Sequence, residues 1–114
     1  MNTPYKYKLR LEQNYVTIEM ISACIISCDA REKRLQESRH NRYPFGPSRF
    51  VSNTYFSLIQ KEKRYKNYKN ILYHCLEEYG QELQHVELNG IVSLPFIEQV
   101  IKLIEDDCKV FKEG

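Results

Sequence analysis

No helix can cross the segment Asn41-Arg42-Tyr43-Pro44-Phe45-Gly46-Pro47-Ser48, which concentrates two of the four prolines and one of the four glycines. Proline removes a backbone donor and its ring clashes with the preceding turn, so the chain must be redirected there. On either side the apolar residues recur at helical spacing. From about Asn14, a candidate N-cap, Ile18, Ile21, Ile25 and Cys28 form a stripe that Met20 and Cys24 widen, followed by a charged extension from Asp29 to Arg39. After the loop, Ser52 or Asn53 can cap a second long helix. Its stripe is Tyr55, Leu58, Tyr65, Tyr68, Leu72, Cys75 and Tyr79, with Gly80 as its stop and the polar run 60–64 as a point of bending.

Elsewhere the period changes. Tyr5, Tyr7, Leu9 and Leu11 alternate with charged residues, which predicts a half-buried strand. Asn89-Gly90 tolerates positive φ at both centres of a type I′ turn, so Leu83 to Leu88 and Ile91 to Leu94 are expected as a hairpin. Ser93 then precedes Pro95 at the start of a terminal helix whose inner face is Ile97, Val100, Ile101, Ile104, Cys108 and Phe111, with acids outside. The expected class is α+β, mostly helical, in the order β-α-α-β-β-α with a small antiparallel sheet. The alternative is an all-α bundle with Asn89-Gly90 as a tight connection. At 114 residues, a single domain over 1–114 is expected.

Net charge is only +2, but its distribution is lopsided. Residues 31–70 carry eleven bases and three acids, net +8, whereas residues 71–114 carry three bases and nine acids, net −6. The basic part is interleaved with aromatics, the combination that phosphate-backbone tracking and base stacking require. An RNA- or DNA-binding module would use Lys63, Arg64, Tyr65, Lys66, Tyr68 and Lys69. Lysines forming a solvated face, or pairing with the acidic terminal helix, explain the same pattern without a ligand. A homodimer matching basic to acidic faces is a third use of it.

Chemistry-bearing motifs are sparse. Cys24 and Cys28 share a helical face, but their spacing is not that of a zinc knuckle, and the adjacent His74 and Cys75 diverge on a helix. All four cysteines, Cys108 included, are expected to be reduced thiols, with no metal or cofactor. Arg34 and His40 resemble the R-x(4–6)-H pattern of HEPN ribonucleases, in which the pair acts on an RNA phosphodiester. The match covers these two residues alone, and Leu35 stands where that pattern has a polar residue, so two surface residues leading into a loop are expected instead. His74 and His85 have no carboxylate or nucleophile at motif spacing. There is no phosphate loop, dinucleotide fingerprint or nucleophile elbow. No catalytic residue is therefore assigned.

The apolar stretch from Val16 to Ile26 is interrupted by Glu19 and preceded by Gln13 and Asn14, which disfavours a secretory leader. No run reaches the length of a membrane span. A cytoplasmic chain is expected. What remains is the loop, where Tyr43 and Phe45 are held by prolines and flanked by Arg39, Arg42 and Arg49. Aromatics and arginines on a rigid loop are the composition of a recognition hot spot. The expected function is that of a small non-catalytic binding protein, a regulator, inhibitor or immunity-type protein, acting on a protein partner through this loop and the basic-aromatic surface.

Overall fold

In a computed structural model the described residues are 16–46, 53–86, 92–106 and 110–111. They are mostly helical. A short strand β1 (Val16–Thr17) leads into α1 (Ile18–Arg42), followed by α2 (Asn53–Glu78), α3 (Leu94–Glu105) and β2 (Val110–Phe111). Thr17 starts α1 by accepting a hydrogen bond from the Met20 amide at 3.1 Å, while the Thr17 amide donates back to Met20 Sδ at 3.4 Å. This is a capping box with a thioether in the place usually taken by a carboxylate. The N-cap is therefore Thr17, three residues beyond Asn14, which lies outside the described residues.

The helix α2 runs unbroken through its polar stretch 60–64 and stops in a Schellman motif. Gly80, at φ +61°, donates its amide to the Glu77 carbonyl at 3.0 Å, and Gln81 donates to Leu76 at 2.9 Å. The third helix begins as its sequence suggests, with the Ser93 hydroxyl accepting from the Phe96 amide and Pro95 in the first turn.

Packing follows a regular rule along the α1–α2 hairpin. On α1 the positions Ile21, Ile25, Cys28, Glu32, Leu35 and Arg39 repeat at intervals of four and three residues. On α2 the positions Leu58, Glu62, Tyr65, Lys69, Leu72 and Leu76 do the same. Such 4-3 spacing keeps one edge of each helix turned to the other. At the β1 end the seam is apolar and merges with Ile97, Val100 and Ile101 of α3 into one core. Towards the loop the seam becomes ionic.

Two expectations about the strands are corrected. Among the described residues there is no antiparallel sheet; β1 instead pairs with β2 in parallel, Val16 opposite Val110 and Thr17 opposite Phe111. Residues 81–86 and 92–93 are not strands, and Leu94 already belongs to α3. The physical reason is the source of their hydrogen bonds. Gln84 donates its amide to Ser22 Oγ at 3.0 Å and Val92 donates to Ser27 Oγ at 3.1 Å, so two serines on α1 replace a neighbouring strand. The predicted terminal helix is also too long: it is capped by Asp106, and Phe111 belongs to β2, while Cys108 lies outside the described residues. The predicted strand over residues 5–11 and the turn Asn89-Gly90 lie outside the described residues.

Ser27 is fully buried, so its hydroxyl is the acceptor that allows the Val92 amide to enter the core. Ser27→Ala is expected to destabilise the fold by about 1–3 kcal/mol, the cost of a buried donor left without an acceptor. Urea denaturation should show this as a lower midpoint with an unchanged slope.

Candidate docking site at the hairpin end

The connection out of α1 is tight. The Tyr43 amide closes the helix on the Arg39 carbonyl at 2.8 Å, and the Gly46 amide returns to the Tyr43 carbonyl at 3.0 Å. Gly46 adopts φ +77°, a conformation a side chain would strain, so the turn positions Phe45 at its apex. Phe45 is 98% exposed. Behind it, Tyr43 meets Tyr55 edge-on with ring centroids 5.2 Å apart, and Tyr55 meets Phe56 in the same manner at 5.6 Å. Phe56 is half exposed. The hairpin end thus carries two uncovered phenyl rings on a base of two tyrosines.

The ionic part of the seam supports this base. Arg39 Nε donates to Glu62 Oε2 at 2.7 Å and Arg39 Nη2 donates to Glu62 Oε1 at 3.1 Å, a bidentate pair linking the helices one turn below Tyr43. Those bonds hold the Arg39 guanidinium protonated more firmly than usual, and Tyr55 adds to the effect. Farther along, Lys69 Nζ lies 2.6 Å from Glu32 and 3.0 Å from Asp29, which also holds Lys33. Burial opposes the charge on Lys69, but hydrogen bonds to Glu32 and Asp29 outweigh it and raise its pKa. The Asp29 carboxyl is held below the usual range, first by its hydrogen bond from Lys69 and then by Lys33.

These contacts sort the residues picked out by sequence. Arg42 and Phe45 are exposed at the hairpin end, and Tyr43 is half-buried beneath them. Arg39 belongs to the scaffold through Glu62, whereas Arg49 lies outside the described residues. Of the nucleic-acid set, Lys63, Arg64 and Lys66 are exposed. Tyr65 is buried in the seam, Tyr68 packs edge-on against it and donates to Glu98 at 3.1 Å, and Lys69 is held by two carboxylates. Of the two rings in that set, Tyr65 is turned into the seam and Tyr68 is half-buried against it. The basic run of α2 also does not pair with α3: none of the ion pairs among the described residues joins those helices.

Sequence reasoning overlooked Phe56 as a neighbour of Phe45. The signal was available in the aromatic pair Tyr55-Phe56, which lies just inside the second helix and therefore at the same end of an antiparallel hairpin as the loop. A groove of about 430 Å³ opens beside it, lined by Ser38 and Arg42 of α1 and by Asn53, Thr54, Ser57, Leu58 and Lys61 of α2. Among the described residues, two cations and no acid line this groove.

Other candidate chemistry is dispersed. Cys24, Cys28 and Cys75 are buried, while His74 is exposed and lies 3.5 Å from Glu78. No group of three metal-ligating side chains converges among the described residues. Arg34 and His40, six residues apart on α1, are separated by about 9 Å along the axis and about 120° around it. No helix among the described residues is long and apolar enough to cross a membrane. No protein-family model, curated protein or solved structure matches this chain.

Proposed function

We propose that this chain is a small non-catalytic binding protein, of the regulator or inhibitor kind, that docks a protein partner through the end of its α1–α2 hairpin. The observation that carries this reading is Phe45, a large apolar ring held almost wholly in solvent by a turn of fixed geometry. A phenyl ring in water gains on the order of 2 kcal/mol when it enters an apolar socket. A preformed turn reduces the ordering entropy lost on binding. Phe56 supplies a second anchor, and Arg42 and Lys61 make the surroundings positive. The matching partner surface is an apolar socket rimmed by carboxylates.

A photo-crosslinking residue at position 45, introduced in the native host, should trap one partner in a defined stoichiometry. The same residue at exposed Leu83 should not. With that partner purified, Phe45→Ala is expected to weaken affinity about thirtyfold or more, as for a central interface anchor. Helix content should be unchanged, because Phe45 lies outside the core. An affinity within about twofold of the parent would overturn the assignment of this site.

A further inference from the structure

Between the two ionic layers of the hairpin seam lies a stretch in which positive charge is not matched by an ion pair among the described residues. Arg39 is neutralised by Glu62 on the loop side, and Lys69 by Glu32 and Asp29 on the core side. Between them a cleft of about 310 Å³ is lined by Arg31, Arg34 and Leu35 of α1, Lys61, Arg64 and Tyr65 of α2, and Leu94 at the start of α3. Four of these seven side chains are cations and none is an acid. None of the four cations forms an ion pair among the described residues.

Arg31 is the most constrained of them. Its Nη2 donates to the Val92 carbonyl at 2.9 Å, which fixes the guanidinium between α1 and the segment entering α3. Its Nε is buried with no acceptor among the described residues. Like charges gathered around one cleft are unfavourable, and an anion relieves them. Arginine guanidinium groups match the tetrahedral oxygens of a phosphate by paired donation, and lysine adds a point charge. The apolar lining from Leu35, Tyr65 and Leu94 gives the cleft a mixed character that a bare surface patch lacks. Its volume is at the lower end for small-molecule sites, where polymer backbones are not the natural occupant.

We propose that this cleft binds a small molecule bearing two linked phosphate groups, with Arg31 and Arg34 contacting them from α1 and Lys61 and Arg64 from α2. The diphosphate class follows from the charge: four cations facing one another are balanced by a pyrophosphate group and only partly by a single phosphate. The cleft shares Lys61 with the groove beside the hairpin end but does not include Phe45, so Phe45→Ala tests the docking proposal alone and Arg34→Gln with Arg64→Gln tests this one alone.

The test is titration calorimetry of the full chain at low salt with inorganic phosphate, inorganic pyrophosphate, ADP and a single-stranded RNA oligomer. Pyrophosphate and ADP are expected to bind with one site per chain, at least about tenfold more tightly than phosphate, reflecting the added charge-assisted hydrogen bonds. Arg34→Gln with Arg64→Gln should weaken both by about tenfold or more. Lys63→Gln with Lys66→Gln, which removes the same charge from the exposed face outside the cleft, should leave both within about twofold. Circular dichroism of the cleft variant, whose two replaced side chains are exposed, monitors its folding. If it unfolds, Arg34→Lys with Arg64→Lys keeps the charge but removes the paired donors, and the same loss of pyrophosphate affinity is expected. Absence of pyrophosphate binding at millimolar concentration would overturn the proposal. Equal weakening by the two glutamine pairs would overturn it as well, since that is the response of a diffuse basic surface. Tight RNA binding that pyrophosphate does not displace would also overturn it.

Discussion

Glu62→Ala is expected to lower the free energy of unfolding by about 3 kcal/mol, because it leaves the Arg39 guanidinium in the helix seam without its bidentate partner. The side chains of Arg39 and Glu62 are only 21% and 10% exposed, which separates this pair from surface ion pairs that contribute little. The double replacement Arg39→Met with Glu62→Leu is expected to recover most of the loss, since apolar residues of similar volume can fill a seam position without a desolvation penalty. Chemical denaturation of Arg39→Met, of Glu62→Leu and of the double gives the coupling energy directly. A double variant as unstable as Glu62→Ala would show that the loss comes from packing and not from an orphaned charge.

The same cycle addresses why ionic residues occupy a seam at all. An all-apolar seam on two long helices permits sliding by one turn, whereas a carboxylate that fits one arginine and two carboxylates that fit one lysine specify a single alignment. Buried polar residues are well attested as devices that fix helix register. Here the register has a further consequence, because it sets Tyr43 against Tyr55 and so determines how the loop carrying Phe45 is held. The recovered double variant should therefore be stable while presenting the loop less uniformly. Crosslinking from position 45 would then report a drop in yield that denaturation does not.

Much of this architecture is written locally in the chain. The apolar periods of Ile18 to Cys28 and of Ile97 to Ile101, the helix stop at Gly80 and the serine cap before Pro95 all depend on residues within a few positions of one another. The ionic layers were harder to read for a specific reason. Glu32, Arg39, Glu62 and Lys69 continue the 4-3 spacing of the apolar seam, but a hydropathy stripe ends where charge begins, so α1 beyond Asp29 reads as a solvated extension. Following the spacing and ignoring the residue type would have placed all four inside the interface. Lys69 is a case in point: its charge reads as surface, although its spacing places it in the seam between Asp29 and Glu32. The hairpin expected around Asn89-Gly90 failed through a different cause: apolar residues in an extended segment signal burial against something, and the sequence alone does not distinguish a second strand from serine hydroxyls on a helix. The candidate docking site was legible in part because the turn over 43–46 is local, so Tyr43 and Phe45 needed no distant partner to be placed. The cationic cleft was not legible, since its four cations come from two helices and become neighbours only once the hairpin register is fixed.

The thiols supply the second large effect. Cys24 and Cys28 are fully buried near the middle of α1, and Cys75 is almost so on α2. Burial pushes the Cys28 thiol up to about 12, even though Arg31 and Lys69 pull in the opposite direction. Burial raises Cys24 strongly as well, with Cys28 as a further contribution, and it raises Cys75. The thiolate is the nucleophile, so a thiol near 12 is ionised to only about one part in ten thousand at pH 8, against roughly a quarter for an ordinary cysteine. In a Cys108→Ser variant, iodoacetamide at pH 8 is therefore expected to modify Cys28 at least about a thousandfold more slowly in the native chain than in urea, since exclusion of the reagent adds to the loss of thiolate. Cys24 should be protected at least as well, because its only route to reagent is opening of the same core. Mass spectrometry of the alkylated peptides assigns each site. The rate should also follow stability: Glu62→Ala, which lowers the barrier to opening the hairpin, is expected to speed modification of Cys28, and the Arg39→Met, Glu62→Leu pair to restore protection. Native Cys28 reacting at the unfolded rate would mean that α1 and α2 do not form a closed seam at that level, and the placement of Lys69 between Asp29 and Glu32 would be lost along with it.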